Sequence, residues 1–239
     1  MTDQDHEKDQ QSQQQHPASE SKRKSRYYTP HEVAMHNQAQ DCWVSINDRV
    51  LDLSELITEN QGMLTRPLVL HAGEDISHWF DPETEDIKYH IDPERNISLP
   101  FLPYGRFLHV APLEPSGNWK TSDFLPWWKD PQFTVGKLTH KARWIEIVNV
   151  LTQQRHSLEV CEEETIEDIQ SRYLEMNSHA ASYTWKYLDD DEFVPLQMKK
   201  TLNENGILDE SCVFERYDMD EQRYKPILHL YFNDDLTIL

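Results

Sequence analysis

Apolar positions in this chain come in short runs, and their spacing switches repeatedly between the strand and helix periods. Residues 28–56 show the pattern most sharply. Thr29-Pro30 predicts a helix start, with the threonine as N-cap and the proline at the first helical position. Glu32 stands three residues after Thr29 and completes a capping box. A short helix carrying Val33 follows. After the polar turn at residues 37–41, Trp43-Val44-Ser45-Ile46 reads as a strand, Asn47-Asp48 as a turn, and Arg49-Val50-Leu51-Asp52 as the returning strand of a hairpin. The next helix is capped by Asp52 or Ser54.

Farther along, residues 81–110 are loop-rich, with Pro82, Pro93, Pro100 and Pro103, and residues 104–110 read as a strand closing a first domain. Residues 111–133 combine Pro112, Pro115, Pro126 and Pro131 with Trp119, Trp127 and Trp128. Proline stiffens a chain and tryptophan seeks apolar surface, so this stretch reads as a strap packed across two domains; the other reading is a docking segment for a partner.

A second folding unit is expected from Thr134. Residues 143–151 (RWIEIVNVL) read as a strand, 152–155 as a turn and 156–160 as its partner. Thr165 and Asp168 form a helix-start signature, and Ile166, Ile169, Tyr173 and Met176 recur at helical spacing. Strands follow at 183–187 and 193–196, then a short helix over 201–207 ending on Gly206, then a last strand at 227–232. That order is the order of a β-grasp domain, and residues 201–207 resemble the threonine-leucine to glycine-isoleucine turn of ubiquitin-like domains. This unit holds no recognisable catalytic constellation and reads as a recognition or scaffold module. The fold class is therefore α+β, in four parts: an N-terminal arm (1–26), a first domain (27–110), the strap (111–133) and the second unit (134–239).

Composition narrows the partners. The chain carries 23 basic and 43 acidic residues among 239, a formal net charge of −20. Such acidity argues against nucleic acid or an anionic membrane as partner and suits a basic protein surface. Cys42, Cys161 and Cys212 are far apart and in no close pair, which argues against a disulfide framework or structural zinc and suits a reducing compartment. Residues 1–26 are polar and glutamine-rich, with a basic Lys22-Arg23-Lys24, and read as a solvated arm without a signal segment. Asp234 and Asp235 interrupt the apolar residues at the other end, so no tail anchor is expected there.

The residues of the first domain resemble the cytochrome b5 family. The resemblance rests on Tyr28-Thr29, Glu32-Val33-Ala34, His36-Asn37, Trp43, the valine-x-aspartate Val50-Leu51-Asp52, and His71-Ala72-Gly73-Glu74-Asp75-Ile76-Ser77. It implies haem as cofactor, its iron held by one imidazole from each side. The first histidine of that family lies in a His-Pro-Gly-Gly turn; here the matching residues are Asn60-Gln61-Gly62-Met63, so Asn60 marks the position of the lost axial ligand. For the second, His90 is the candidate, with His71 and His78 as runners-up. The plainer readings are an exposed histidine at 90, a satisfied core or edge histidine at 71, and one hydrogen-bonded at a helix end at 78.

A degenerate cytochrome b5-like domain joined to a ubiquitin-like unit resembles the cytochrome b5 domain-containing proteins of motile cilia. Residues 78–82 (HWFDP), 177–187 (NSHAASYTWKY) and 231–237 (YFNDDLT) carry that resemblance. It implies a non-enzymatic structural component of the axonemal radial spoke, haem-binding and redox-responsive through His90, with other axonemal proteins as partners and a place in the cytoplasm, cytoskeleton and cilium. The alternative is a soluble haem protein acting as electron carrier or small-ligand binder.

Overall fold

The computed structural model describes residues 26–94, 96–114, 117, 119, 125–220 and 224–232. The arm expected over residues 1–26 lies outside them except for Arg26, as do residues 233–239 and part of the strap. The fold is mixed α+β, and the described residues form two separate five-stranded sheets and two short hairpins.

Strand β1 (Tyr27–Tyr28) leads into helix α1 (Pro30–Met35), and the expected capping box is formed. Glu32 N–H donates to Thr29 Oγ1 at 3.2 Å, and Thr29 N–H donates to Glu32 Oε2 at 2.8 Å. Then come β2 (Asn37–Gln38), β3 (Asp41–Ile46) and β4 (Arg49–Asp52). Asn47 and Asp48 adopt φ of 46° and 63°, the paired left-handed conformation of a tight hairpin turn. Helix α2 (Ser54–Glu59) starts through Asp52, whose Oδ1 accepts from the Ser54 N–H at 2.9 Å. Helix α3 (Arg66–Leu70) follows, then the hairpins β5 (Phe80–Asp81) with β6 (Asp86–Ile87) and β7 (Tyr89–Ile91) with β8 (Ser98–Pro100).

Residues 104–110 form no strand, contrary to the sequence reading. Gly105 and His109 sit at φ 97° and 68°, which breaks any extended run, and Phe107, Leu108 and Val110 are buried without alternation. The edge of the first sheet is filled from much farther along the chain. Strand β9 (Thr134–Leu138) pairs antiparallel with β4 and parallel with β1, giving the order β1-β9-β4-β3-β2. The boundary expected at Thr134 therefore cuts through the first sheet. Before it, Trp127 and Trp128 turn inward and join the first core rather than spanning both units.

The second unit starts at β10 (Ala142–Asn149), which pairs with β11 (Arg155–Cys161) over its whole length. Helix α4 (Ile166–Tyr173) has its own capping box, Thr165 with Asp168, and buries Ile166, Ile169 and Tyr173 against the sheet. Strands β12 (Tyr183–Asp189) and β13 (Glu192–Pro195), helix α5 (Ser211–Arg216) and β14 (Ile227–Phe232) complete it. The sheet order is β11-β10-β14-β12-β13, with β10 and β14 parallel. The short helix expected over 201–207 is a single 3-10 turn, Asn203–Asn205, closed by Gly206 at φ 85°.

Charge ties the two units together. Arg172 lies 2.9 Å from Glu32 of α1 and 2.8 Å from Glu164, with only 13% of its side chain exposed. Burial raises the pKa of Glu164, opposed by Arg172 and by the Cys161 N–H that donates to Glu164 Oε2 at 2.8 Å. Thr29 Oγ1 also donates to Glu159 Oε2 of β11 at 3.1 Å.

Close approach at Gly136 tests the placement of β9. A Cβ there would sit 2.6 Å from Tyr28 Cε2 and against the Arg26 carbonyl. Gly136→Ala should cost about 2 kcal/mol or more in denaturant unfolding, the cost of overpacking a closed site. A change within experimental error would contradict the β1–β9 contact.

Candidate functional site

The two positions implied for haem ligation lie on different elements. Helix α2 buries Leu56 and Ile57 and delivers Asn60 to its C-cap. Both the backbone N–H and the side-chain Nδ2 of Asn60 donate to Leu56 O, at 3.2 Å and 2.9 Å. The amide is thus spent on closing its own helix, and Met63, which replaces a permissive glycine, is 86% exposed. His90 sits mid-strand in β7 opposite Leu99, between the exposed Tyr89 and Ile91. Its ring meets Phe101 edge-on at 6.4 Å and makes no hydrogen bond among the described residues.

The runners-up are engaged elsewhere. His71 Nδ1 lies 2.7 Å from Glu74 Oε2, and its ring packs against Tyr104 at 4.0 Å and Trp79 at 5.2 Å. His78 Nε2 accepts from Trp79 Nε1 at 2.9 Å.

Beneath these positions the interior is filled with rings. Trp79, Phe80, Phe107, Trp127 and Trp128 are all buried. Phe107 lies 5.4 Å from Trp79 and 5.9 Å from both Trp127 and Trp128, while the two neighbouring tryptophans meet edge-on at 5.5 Å. Their polar atoms are satisfied, as buried indoles require. Trp127 Nε1 donates to Leu108 O at 3.1 Å, and its backbone N–H donates to His109 Nδ1 at 3.0 Å. Trp128 Nε1 donates to Asp86 Oδ1 at 3.2 Å, Lys129 reaches Asp86 Oδ2 at 2.7 Å, and Arg49 Nη2 donates to Trp128 O at 3.1 Å. Partial burial pushes the Asp86 carboxyl up, but the Lys129 ammonium and the Ile87 and Trp128 N–H groups outweigh it and hold it below the usual range.

A haem held from both sides by imidazole does not fit these residues. One position offers an amide committed to its own helix, the other a histidine on an exposed hairpin, and the remaining candidates are already hydrogen-bonded. No group of three or more His, Cys, Asp or Glu among the described residues could hold a metal ion. Burial disfavours the thiolate at both buried cysteines, pushing Cys42 up to about 12 and raising Cys161 as well.

Comparison with known proteins settles the relationship. A family model described as cytochrome b5-like heme/steroid binding domain matches residues 29–91. A Xenopus laevis protein, cytochrome b5 domain-containing protein 1, is 50% identical over 215 residues, covering 90% of this chain and 97% of its own. The chain belongs to the cytochrome b5 domain-containing protein 1 family. The human member is likewise 50% identical, over 90% of this chain and 92% of its own length. Among solved structures, the cytochrome b5 of Ostreococcus tauri virus 2 is 36% identical over 21% of this chain and 62% of its own, with a TM-score of 0.19. The match to the domain model ends at Ile91, whereas the sheet it begins closes only at Leu138.

Sequence reading missed His109 and Asp86, the residues that hold the two tryptophans; neither stands in a motif, and no local signal marks either. Burial, only partly opposed by Asp130, lowers the pKa of His109 below its ordinary 6.5, in keeping with a neutral ring that accepts the Trp127 N–H. A depressed folded-state pKa contributes stability that is complete above the unfolded value and is lost as pH falls through the folded one. Acidification from about pH 7 to about pH 5 should therefore lower the unfolding midpoint, and His109→Gln should flatten that dependence. Parallel curves for the two proteins would contradict the role given to His109.

Proposed function

We propose that this member of the family is a non-enzymatic structural component of the motile-cilium axoneme, in the radial spoke, in which both units serve as protein-contact modules. The observation that carries the scaffold reading is Asn60. Where an electron-carrying relative needs an imidazole, the chain has an amide that closes its own helix. The filled aromatic interior supports the same reading, because the first domain spends its apolar residues on packing. The axonemal setting is supported by the sequence resemblance of residues 78–82, 177–187 and 231–237. The sheet order β11-β10-β14-β12-β13, its parallel central pair and the helix between β11 and β12 support a ubiquitin-like β-grasp for the second unit. In this reading the partners are axonemal proteins, and the protein sits in the cytoskeleton of the cilium.

A second reading is favoured by one observation, the exposed imidazole of His90, which makes no hydrogen bond among the described residues. In it the domain responds to redox state by taking haem through that single side.

One experiment separates the two. Full-length protein and His90→Ala are expressed in ciliated cells lacking the endogenous protein, and detergent-extracted axonemes are probed for retention and beating. Retention and restored beating with both proteins is the expected result. Restoration by the unaltered protein alone would transfer the function to His90, and loss of both proteins on extraction would overturn the axonemal placement.

A further inference from the structure

The second sheet ends in two edge strands, β11 and β13. Strand β11 is approached by the first unit, where Thr29 bonds Glu159. At the other edge, β13 pairs only with β12 among the described residues, and all four of its residues are exposed. Asp190 and Asp191, at φ 41° and 70°, form the two-residue turn between these strands. The ladder bond from Leu196 N to Trp185 O fixes the alternation: Val194 and Glu192 face inward to β12 with their backbone groups, and Phe193 faces out. Phe193 thus offers an N–H and C=O with no ladder partner among the described residues, and Pro195 offers a carbonyl.

Each face beside that edge has a feature able to take a side chain. On the outer face, the Phe193 ring lies 4.9 Å from His229 and 5.4 Å from Tyr231, and Lys186 Nζ stands 4.5 Å from the centre of the Tyr231 ring. On the inner face, a cavity of about 120 Å³ is lined by Val194, Pro195, Gln197, Glu204 and Asn205. Successive residues of an added strand point to opposite faces, so neighbours would meet the aromatic strip and the cavity in turn.

The charge at the strand end selects the occupant. Asp189, Asp190, Asp191 and Glu192 are consecutive and exposed, and the whole chain carries −20. Two copies meeting edge to edge would each bring this cluster and a net charge of −20, and like charge opposes their pairing. A basic strand meets them with complementary charge.

We propose that β13 docks an extended, basic segment of a partner protein by strand addition, with its backbone paired to Phe193. An apolar side chain lies over Phe193 and Tyr231, a small neighbour enters the Val194 cavity, and lysine or arginine faces Asp189–Glu192. This goes beyond the axonemal reading and holds or fails independently of it.

The test uses the full chain and a short synthetic peptide in which valine and alanine alternate beside a run of lysines, with glutamates in place of the lysines in the control. Hydrogen exchange at the Phe193 amide should slow several-fold on adding the lysine peptide and not the control. Binding should weaken about tenfold in Phe193→Ser and in the doubly neutralised Asp190→Asn/Asp191→Asn. These positions are exposed, so an unchanged unfolding midpoint serves as the control for folding. No slowing at Phe193 up to about 1 mM peptide overturns the proposal. So does equal binding of the glutamate peptide, or binding that is lost in the charge variant but never protects Phe193. A concentration-dependent dimer abolished by Phe193→Ser would replace the basic partner with a second copy and overturn it as well.

Discussion

Two adjacent tryptophans, Trp127 and Trp128, must leave water, and the rest of the first domain is arranged around where they go. Each buries a large ring and brings one indole N–H that cannot be left unpaired. The cavity that takes them is walled by Trp79, Phe80 and Phe107, and their N–H groups find Leu108 O and Asp86. Once they are seated, the chain emerges beside β4, and β9 completes the sheet. That strand gives β1 a partner, and β1 leads directly into the capped helix whose Glu32 reaches Arg172. Packing in the first core therefore sets the relation between the two units.

The same arrangement shapes the chemistry. A domain that carries electrons through haem keeps an apolar slot open between two ligands. In this chain the apolar residues are occupied with one another, Asn60 closes a helix, and His71 and His78 are bonded to Glu74 and Trp79. What remains at the surface is a set of exposed side chains, His90 among them, and an open sheet edge in the second unit. The proposed contact role rests on these features.

The sequence carried the local parts of this structure clearly. Both capping boxes, the Asn47-Asp48 hairpin and the paired strands β10 and β11 depend on residues close together in the chain, and they appear where the pattern put them. Long-range pairing left no such trace. The run Thr134–Leu138 has the composition of a strand in either unit, and only the space beside β4, against Gly136, assigns it to the first. Residues 104–110 looked like a strand because apolar residues gather there, but two left-handed backbone positions turn the chain so that it buries Phe107 and Val110 as a loop. The Glu32–Arg172 pair joins positions whose separation in sequence hides it, and His109 gains its role only because Trp127 folds back onto it.

The measurement that bears most directly on this account is residue-resolved hydrogen exchange of the full-length protein under native conditions. Amides of Trp127, Lys137 and Thr139, bonded to His109, Arg26 and Tyr28, should exchange in the same slow step as Trp43 and Ser45 of β3. That result would make the strap and β9 part of the first domain's cooperative core. Rapid exchange at 127, 137 and 139 while Trp43 and Ser45 stay protected would show a linker laid on a domain already complete without it, and would contradict the account.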